Sequence, residues 1–182
     1  MFVAVLALSQ SVQAQELVGC KRGSVREQLA QLPMYNDNSY EQVMELLNYA
    51  YTFLGTKYRI GSSSPKGFDC SGFTSFVFKE FGYELNRTSR MQVSNGVPVA
   101  KNELRPGDLV FFNGRAVGKR IGHVGIVTEV KDDGEFEFIH SCNSKGVTVS
   151  SSEESYYKRR YVKASRVIYD EKCKNPAEDI NE

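Results

Sequence analysis

The chain has 182 residues, the size of one ordinary domain with tails, and can bury a hydrophobic core. Lys and Arg number 23 against 22 Asp and Glu; the resulting net charge of +1 excludes the strongly basic surface of a general nucleic-acid binder. A hydrophobic content of 41% with 11 Phe and 10 Tyr suits a globular, β-rich core.

Phe2 to Leu8 forms a short apolar run and Val12-Gln13-Ala14 a small-residue cleavage site, which together predict a signal peptide over residues 1–14. Export to the periplasm or cell envelope follows from that expectation. Leu17-Val18-Gly19-Cys20 offers a rival reading, a lipoprotein box with Cys20 lipidated, but Gln13, Gln15 and Glu16 place polar residues where that signal stays apolar. No apolar run approaches the roughly 18–20 residues of a transmembrane helix. Residues 15–38 read as an N-terminal extension broken by Pro33 and Asn36-Asp37-Asn38.

The catalytic domain is expected over residues 39–170. Ser39 with Gln42 makes a capping pattern, and Val43, Leu46, Leu47, Ala50 and Leu54 follow at helical spacing up to a Gly55 cap. Gly61 to Gly67 reads as a flexible loop. Behind it Cys70 opens a helix with an apolar face of Phe73, Phe76, Val77 and Phe81, ending at Gly82; a shorter helix is expected between Asn86 and Asn95. After the Arg105-Pro106-Gly107-Asp108 turn, five β-rich runs are expected: Leu109–Phe112, Ile121–Val130, Glu135–Ser141, Gly146–Ser150 and Ala164–Tyr169. Helices followed by strands predict an α+β fold, with an antiparallel sheet of about five strands packed on the Cys70 helix. Residues 171–182 form a polar tail.

A thiol at a helix start lies among unpaired backbone N–H groups and the positive end of the helix dipole, an environment that favours the thiolate. The chain has only two histidines, His123 and His140, both in expected strands. Asp133-Gly134 signals a hairpin between those strands. If Val130 pairs with Glu135, His140 falls opposite Gly125, and His123 lies two residues along on the same face, within side-chain reach. A two-residue turn keeps that arrangement, whereas a three-residue loop separates the histidines onto opposite faces. The pattern points to a cysteine hydrolase with Cys70 as nucleophile, His123 as general base and His140 orienting it. Zinc lacks a Cys/His pair at ligand spacing, so no metal or other cofactor is expected. Ser71 as nucleophile lacks a Gly-x-Ser-x-Gly frame. The remaining cysteines, Cys20, Cys142 and Cys173, have no connectivity that spacing can fix.

Tyr58-Arg59-Ile60-Gly61, Asp69-Cys70-Ser71-Gly72-Phe73, Arg87-Thr88-Ser89 with Gln92, Leu104 to Phe112, His123-Val124-Gly125-Ile126 and Phe138-Ile139-His140 resemble, in order, the blocks of the NlpC family of cell-wall cysteine peptidases, a papain-like group. The likeness runs from about Leu54 to Arg166, with Ser62 standing where the family often has a second glycine. The resemblance implies a Cys70–His123–His140 triad. It also implies that the Tyr58 hydroxyl stabilises the oxyanion beside the Cys70 N–H, and that Asp69 and Ser71 line the adjoining substrate subsite. The implied substrate is the peptidoglycan stem peptide, cut next to diaminopimelate at either the D-Ala or the γ-D-glutamyl bond. Competing readings are a related cysteine amidase or acyltransferase and a catalytically inactive wall-binding protein.

Overall fold

The computed structural model describes residues 37–114 and 120–169. The expected signal peptide, Cys20, nearly all of the N-terminal extension, Cys173 and the polar tail lie outside the described residues. Helix α1 spans Asp37–Tyr51 and buries Val43, Leu46, Leu47 and Ala50, the stripe that its helical spacing anticipates. Leu54 lies past the helix end and is exposed. Gly55 adopts a φ of 80° and donates its N–H to Val147 O at 2.8 Å, tying the end of α1 to a later strand.

The segment expected as a flexible loop is a tight ribbon. Strands β1 (Ser63–Ser64) and β2 (Gly67–Phe68) pair antiparallel, and Asp69 N–H donates to Ser62 O at 2.9 Å. Helix α2 (Cys70–Glu80) follows at once, and a single-turn helix α3 (Ser89–Gln92) lies beyond it. The remaining elements are β3 (Val97–Val99), β4 (Leu109–Asn113), β5 (Ile121–Val130), β6 (Phe136–Cys142), β7 (Gly146–Ser151), the short helix α4 (Ser155–Lys158) and β8 (Tyr161–Arg166).

One antiparallel sheet has the order β3-β8-β4-β5-β6-β7, so the α+β expectation holds, with six strands in place of five. The additional strand, β3, is three residues long, contains Pro98 and lies at the sheet edge, where a missing N–H costs no ladder bond. The last strand ends earlier than expected: Val167 and Ile168 are buried but unpaired, so their apolar character does not mark strand. Instead of following β7, β8 returns between β3 and β4.

Alternation along the strands divides the core in two. Leu109, Phe111, Val124, Ile126 and Ile139 pack with α1 and α2, whereas Val110, Phe112, Val127, Phe136 and Phe138 join Tyr157 on the opposite face. Arg166 closes the turn before β4, donating to both carboxylate oxygens of Asp108 at 2.8 and 2.9 Å.

The β5–β6 hairpin departs from the expected turn, and a second irregularity compensates. Val130 pairs with Phe136, which leaves the five residues 131–135 in the loop, an odd number that by itself would put the histidines on opposite faces. Between Val127 and Glu129 the register shifts, with Thr128 as the extra residue, and from there Val127 pairs with Phe138 and Ile126 with Ile139. Continuing one step places Gly125 opposite His140, and His123 shares their face.

Candidate active site

Cys70 is the first residue of α2, and the residue before it builds that helix start. Asp69 caps the helix through Oδ1, which accepts from Gly72 N–H at 2.6 Å, while Oδ2 accepts from Gly61 N–H at 2.9 Å. Arg87 grips the same carboxylate with both terminal nitrogens, Nη1 at 3.0 Å and Nη2 at 2.7 Å, and Nη1 also lies 3.2 Å from Ser71 Oγ. From behind, fully buried Gln92 lies within hydrogen-bond distance of Thr74 Oγ1, Ser71 O and Ser75 Oγ, so the α2 start is held on both sides.

His123 Nε2 lies 2.9 Å from His140 Nδ1, with the two rings nearly perpendicular at 87°. His140 is wholly buried, and its Nε2 lies 3.3 Å from the Tyr157 hydroxyl. Cys70, His123, Tyr58, Cys142, Ser150 and Tyr157 line one cleft of about 570 Å³. The backbone N–H groups of Ser71 and Val124 favour the Cys70 thiolate, and Val124 directly follows His123, which lines the same cleft as Cys70.

The electrostatics correct one expectation. Burial, and after it the negative charge of Asp69, pushes the Cys70 thiol up; the N–H groups of Ser71, Val124 and Cys70 itself oppose this without reversing it. Only 8% of Cys70 is exposed, and at that depth desolvation outweighs the helix start. Burial pushes His123 down to about 4. His140 is pushed lower still, first by burial and then by the neighbouring charges of His123 and Lys145. The resting site is a neutral thiol beside neutral imidazoles. Such a site suits general-base catalysis, with the proton leaving sulfur as the bond to carbon forms.

A model of the NlpC/P60 family matches residues 55–166 of this sequence, a span that begins just after α1 and ends with β8. The chain belongs to the NlpC/P60 family. It is 44% identical over 115 residues to the murein DD-endopeptidase MepS/murein LD-carboxypeptidase of Escherichia coli K12, covering 63% of this chain and 57% of that protein. It is 34% identical over 157 residues to the probable endopeptidase NlpC of the same strain, covering 86% of this chain and 96% of that one. A crystal structure of an NlpC/P60 family protein from Bacillus cereus superposes with a TM-score of 0.62 at 33% identity, over 69% of this chain and 40% of that one. The chain thus spans little more than half the length of MepS.

Within this NlpC/P60 domain, the structure gathers four of the six residues singled out from sequence, Tyr58, Cys70, His123 and His140, around one cleft or directly behind it. Asp69 and Ser71 are not part of that cleft wall; they face Arg87 beside Cys70. Sequence reasoning missed Tyr157 and the placement of Cys142 in the cleft. Tyr157 lies 17 residues after His140 on a single-turn helix, a separation that no motif or periodicity marks. Cys142 follows His140 by two residues in β6, so strand alternation alone would have put it on the same face.

Proposed function

We propose that the protein is an exported cysteine endopeptidase that hydrolyses amide bonds in peptidoglycan stem peptides next to diaminopimelate. The observation that carries this reading is the 2.9 Å contact between His123 Nε2 and His140 Nδ1, set against a cleft that Cys70 also lines. The MepS relative, named for murein endopeptidase activity, supports the substrate class.

Because His123 Nε2 is committed to His140, Nδ1 is the nitrogen left for the thiol. In the proposed reaction Cys70 Sγ attacks the amide carbon and its proton passes to His123 Nδ1. The Cys70 N–H and the Tyr58 hydroxyl receive the oxyanion, a contribution worth about 3–4 kcal/mol per donor in comparable sites. Collapse expels the amine, which takes the proton from His123 and leaves a thioester on Cys70. Water, deprotonated by His123, then releases the carboxylate and restores the thiol. Asp69 and Ser71, with Arg87, form the polar patch that we assign to the adjoining residue of the stem peptide. We assign this work to the periplasm or cell envelope, on the signal expected from residues 1–14; no helix among the described residues is long and apolar enough to cross a membrane.

Mass spectrometry of muropeptides from digested sacculi tests the reading. New amine termini on diaminopimelate, matched by new carboxyl termini on D-Ala or D-Glu, are expected and would identify the bond. Stem peptides left intact by folded protein would reject it.

A further inference from the structure

Both ring nitrogens of His140 are committed, Nδ1 to His123 Nε2 at 2.9 Å and Nε2 to the Tyr157 hydroxyl at 3.3 Å. Burial keeps this imidazole neutral, and a neutral imidazole carries one proton, so one contact donates while the other accepts. The next step rests on the peptidase reading above, in which His123 presents a lone pair to the Cys70 thiol. That lone pair is on Nδ1, because Nε2 is engaged with His140. His123 Nε2–H therefore donates to His140 Nδ1, and the single proton of His140 is on Nε2. In a position closed to solvent that N–H needs an acceptor, and the Tyr157 oxygen is the atom it meets.

We infer that Tyr157 is a positioning residue whose hydroxyl oxygen accepts the Nε2–H of His140 and thereby holds both histidines in the tautomer that lets His123 act as a base. The opposite sense of the same chain is inactive. Were Tyr157 to donate into His140 Nε2, the His140 proton would move to Nδ1 and the His123 proton to its own Nδ1, facing the thiol with no lone pair to offer.

Two features set the sense. Ser150 lines the cleft with Tyr157 and favours negative charge on the phenol oxygen, which suits that oxygen as an acceptor. The ring is clamped edge-on between Phe112 and Phe138, with centroids at 5.2 and 4.9 Å, so the oxygen is aimed by packing and not by a mobile side chain. The arrangement extends the usual logic of an orienting group by one member: thiol, base, orienting imidazole, and a phenol that fixes which nitrogen of that imidazole carries hydrogen.

Untagged protein labelled with nitrogen-15 histidine tests this directly, because two histidines give only four ring nitrogens. At neutral pH without substrate, His140 is expected to carry its proton on Nε2 and none on Nδ1. Tyr157→Phe removes one oxygen and keeps the ring. It is expected to shift His140 toward the Nδ1–H form and to lower kcat about ten- to a hundred-fold, with KM changed less than about two-fold. Wild-type His140 protonated on Nδ1 would overturn the assignment. So would a Tyr157→Phe protein in which either the tautomer or kcat is unchanged. If that variant does not fold, the wild-type tautomer decides alone. A wild type that shows Nε2–H yet hydrolyses no stem peptide rejects the peptidase reading and leaves the proton assignment standing.

Discussion

His123 meets His140 because strand β5 carries one residue more than β6 across their pairing. Thr128 is that residue, and it converts the odd parity of the 131–135 loop into the even one that puts both imidazoles on one face. Its hydroxyl oxygen is buried and finds no hydrogen-bond partner among the described residues. A polar group kept there without a partner suits a position whose value is the extra length of backbone.

Deleting Thr128 is therefore expected to abolish turnover, by at least about 100-fold, in a protein that still folds its sheet. Thr128→Val keeps the residue count and removes only the unpaired hydroxyl. It is expected to retain activity and to change stability by about 0–1 kcal/mol in the favourable direction. Circular dichroism, denaturant unfolding and hydrolysis of sacculi check both variants; an active deletion variant would mean that the bulge does not set the histidine pairing.

Gly125 lies across from His140, and a Cβ there would approach Phe138 Cδ2 to 2.6 Å and His140 Cβ to 3.1 Å. Gly125→Ala should push β5 away from β6 at the imidazole pair. Destabilisation of about 1–3 kcal/mol is expected, with a fall in kcat larger than the change in KM. Steady-state kinetics beside denaturant unfolding gives the result.

In the proposed reaction the two imidazoles differ in role, and their replacements should differ in consequence. His123→Ala removes the base and is expected to cost about 1,000-fold or more in kcat/KM, while His140→Ala leaves a base that is merely less well held and costs less. Equal losses in rate assays would show that the pair acts as one unit.

Acid should act on stability and rate together. Folding holds His123 at about 4 against the ordinary 6.5, and His140 lower still. Between those values and 6.5 the unfolded chain binds more protons than the native one, so stability is complete above about 6.5 and declines as the pH falls. Urea unfolding at pH 7.5 and pH 5 should show a lower midpoint at pH 5, and a smaller drop in His140→Gln. Turnover needs neutral His123 and is expected to persist at pH 5 and collapse toward pH 4.

Where chemistry lay in local patterns, the sequence was readable. The loop-to-apolar switch at Cys70 announced a helix start, the α1 stripe announced a buried helix face, and the strand pattern put both histidines in strands that share a face. Other features depend on distant partners or on backbone that side chains do not reveal. The Thr128 bulge inserts a residue with no special chemistry, so a hairpin read from Asp133-Gly134 reached the right pairing through the wrong turn. Tyr157 became visible only when β7 and α4 folded it against His140. The Cys70 thiol shows the same limit: the helix start is written in sequence, but the burial that outweighs it belongs to the packed molecule.

Cys70 and Cys142 share one cleft, and Cys142 is the more exposed of the two, so accessibility by itself would favour Cys142. Hydrolysis of purified sacculi by Cys70→Ala and Cys142→Ala beside the wild type separates geometry from exposure. No released stem peptide from Cys70→Ala, with near wild-type release from Cys142→Ala, is the expected result. Undiminished release by folded Cys70→Ala would contradict the assignment of that sulfur as the attacking atom.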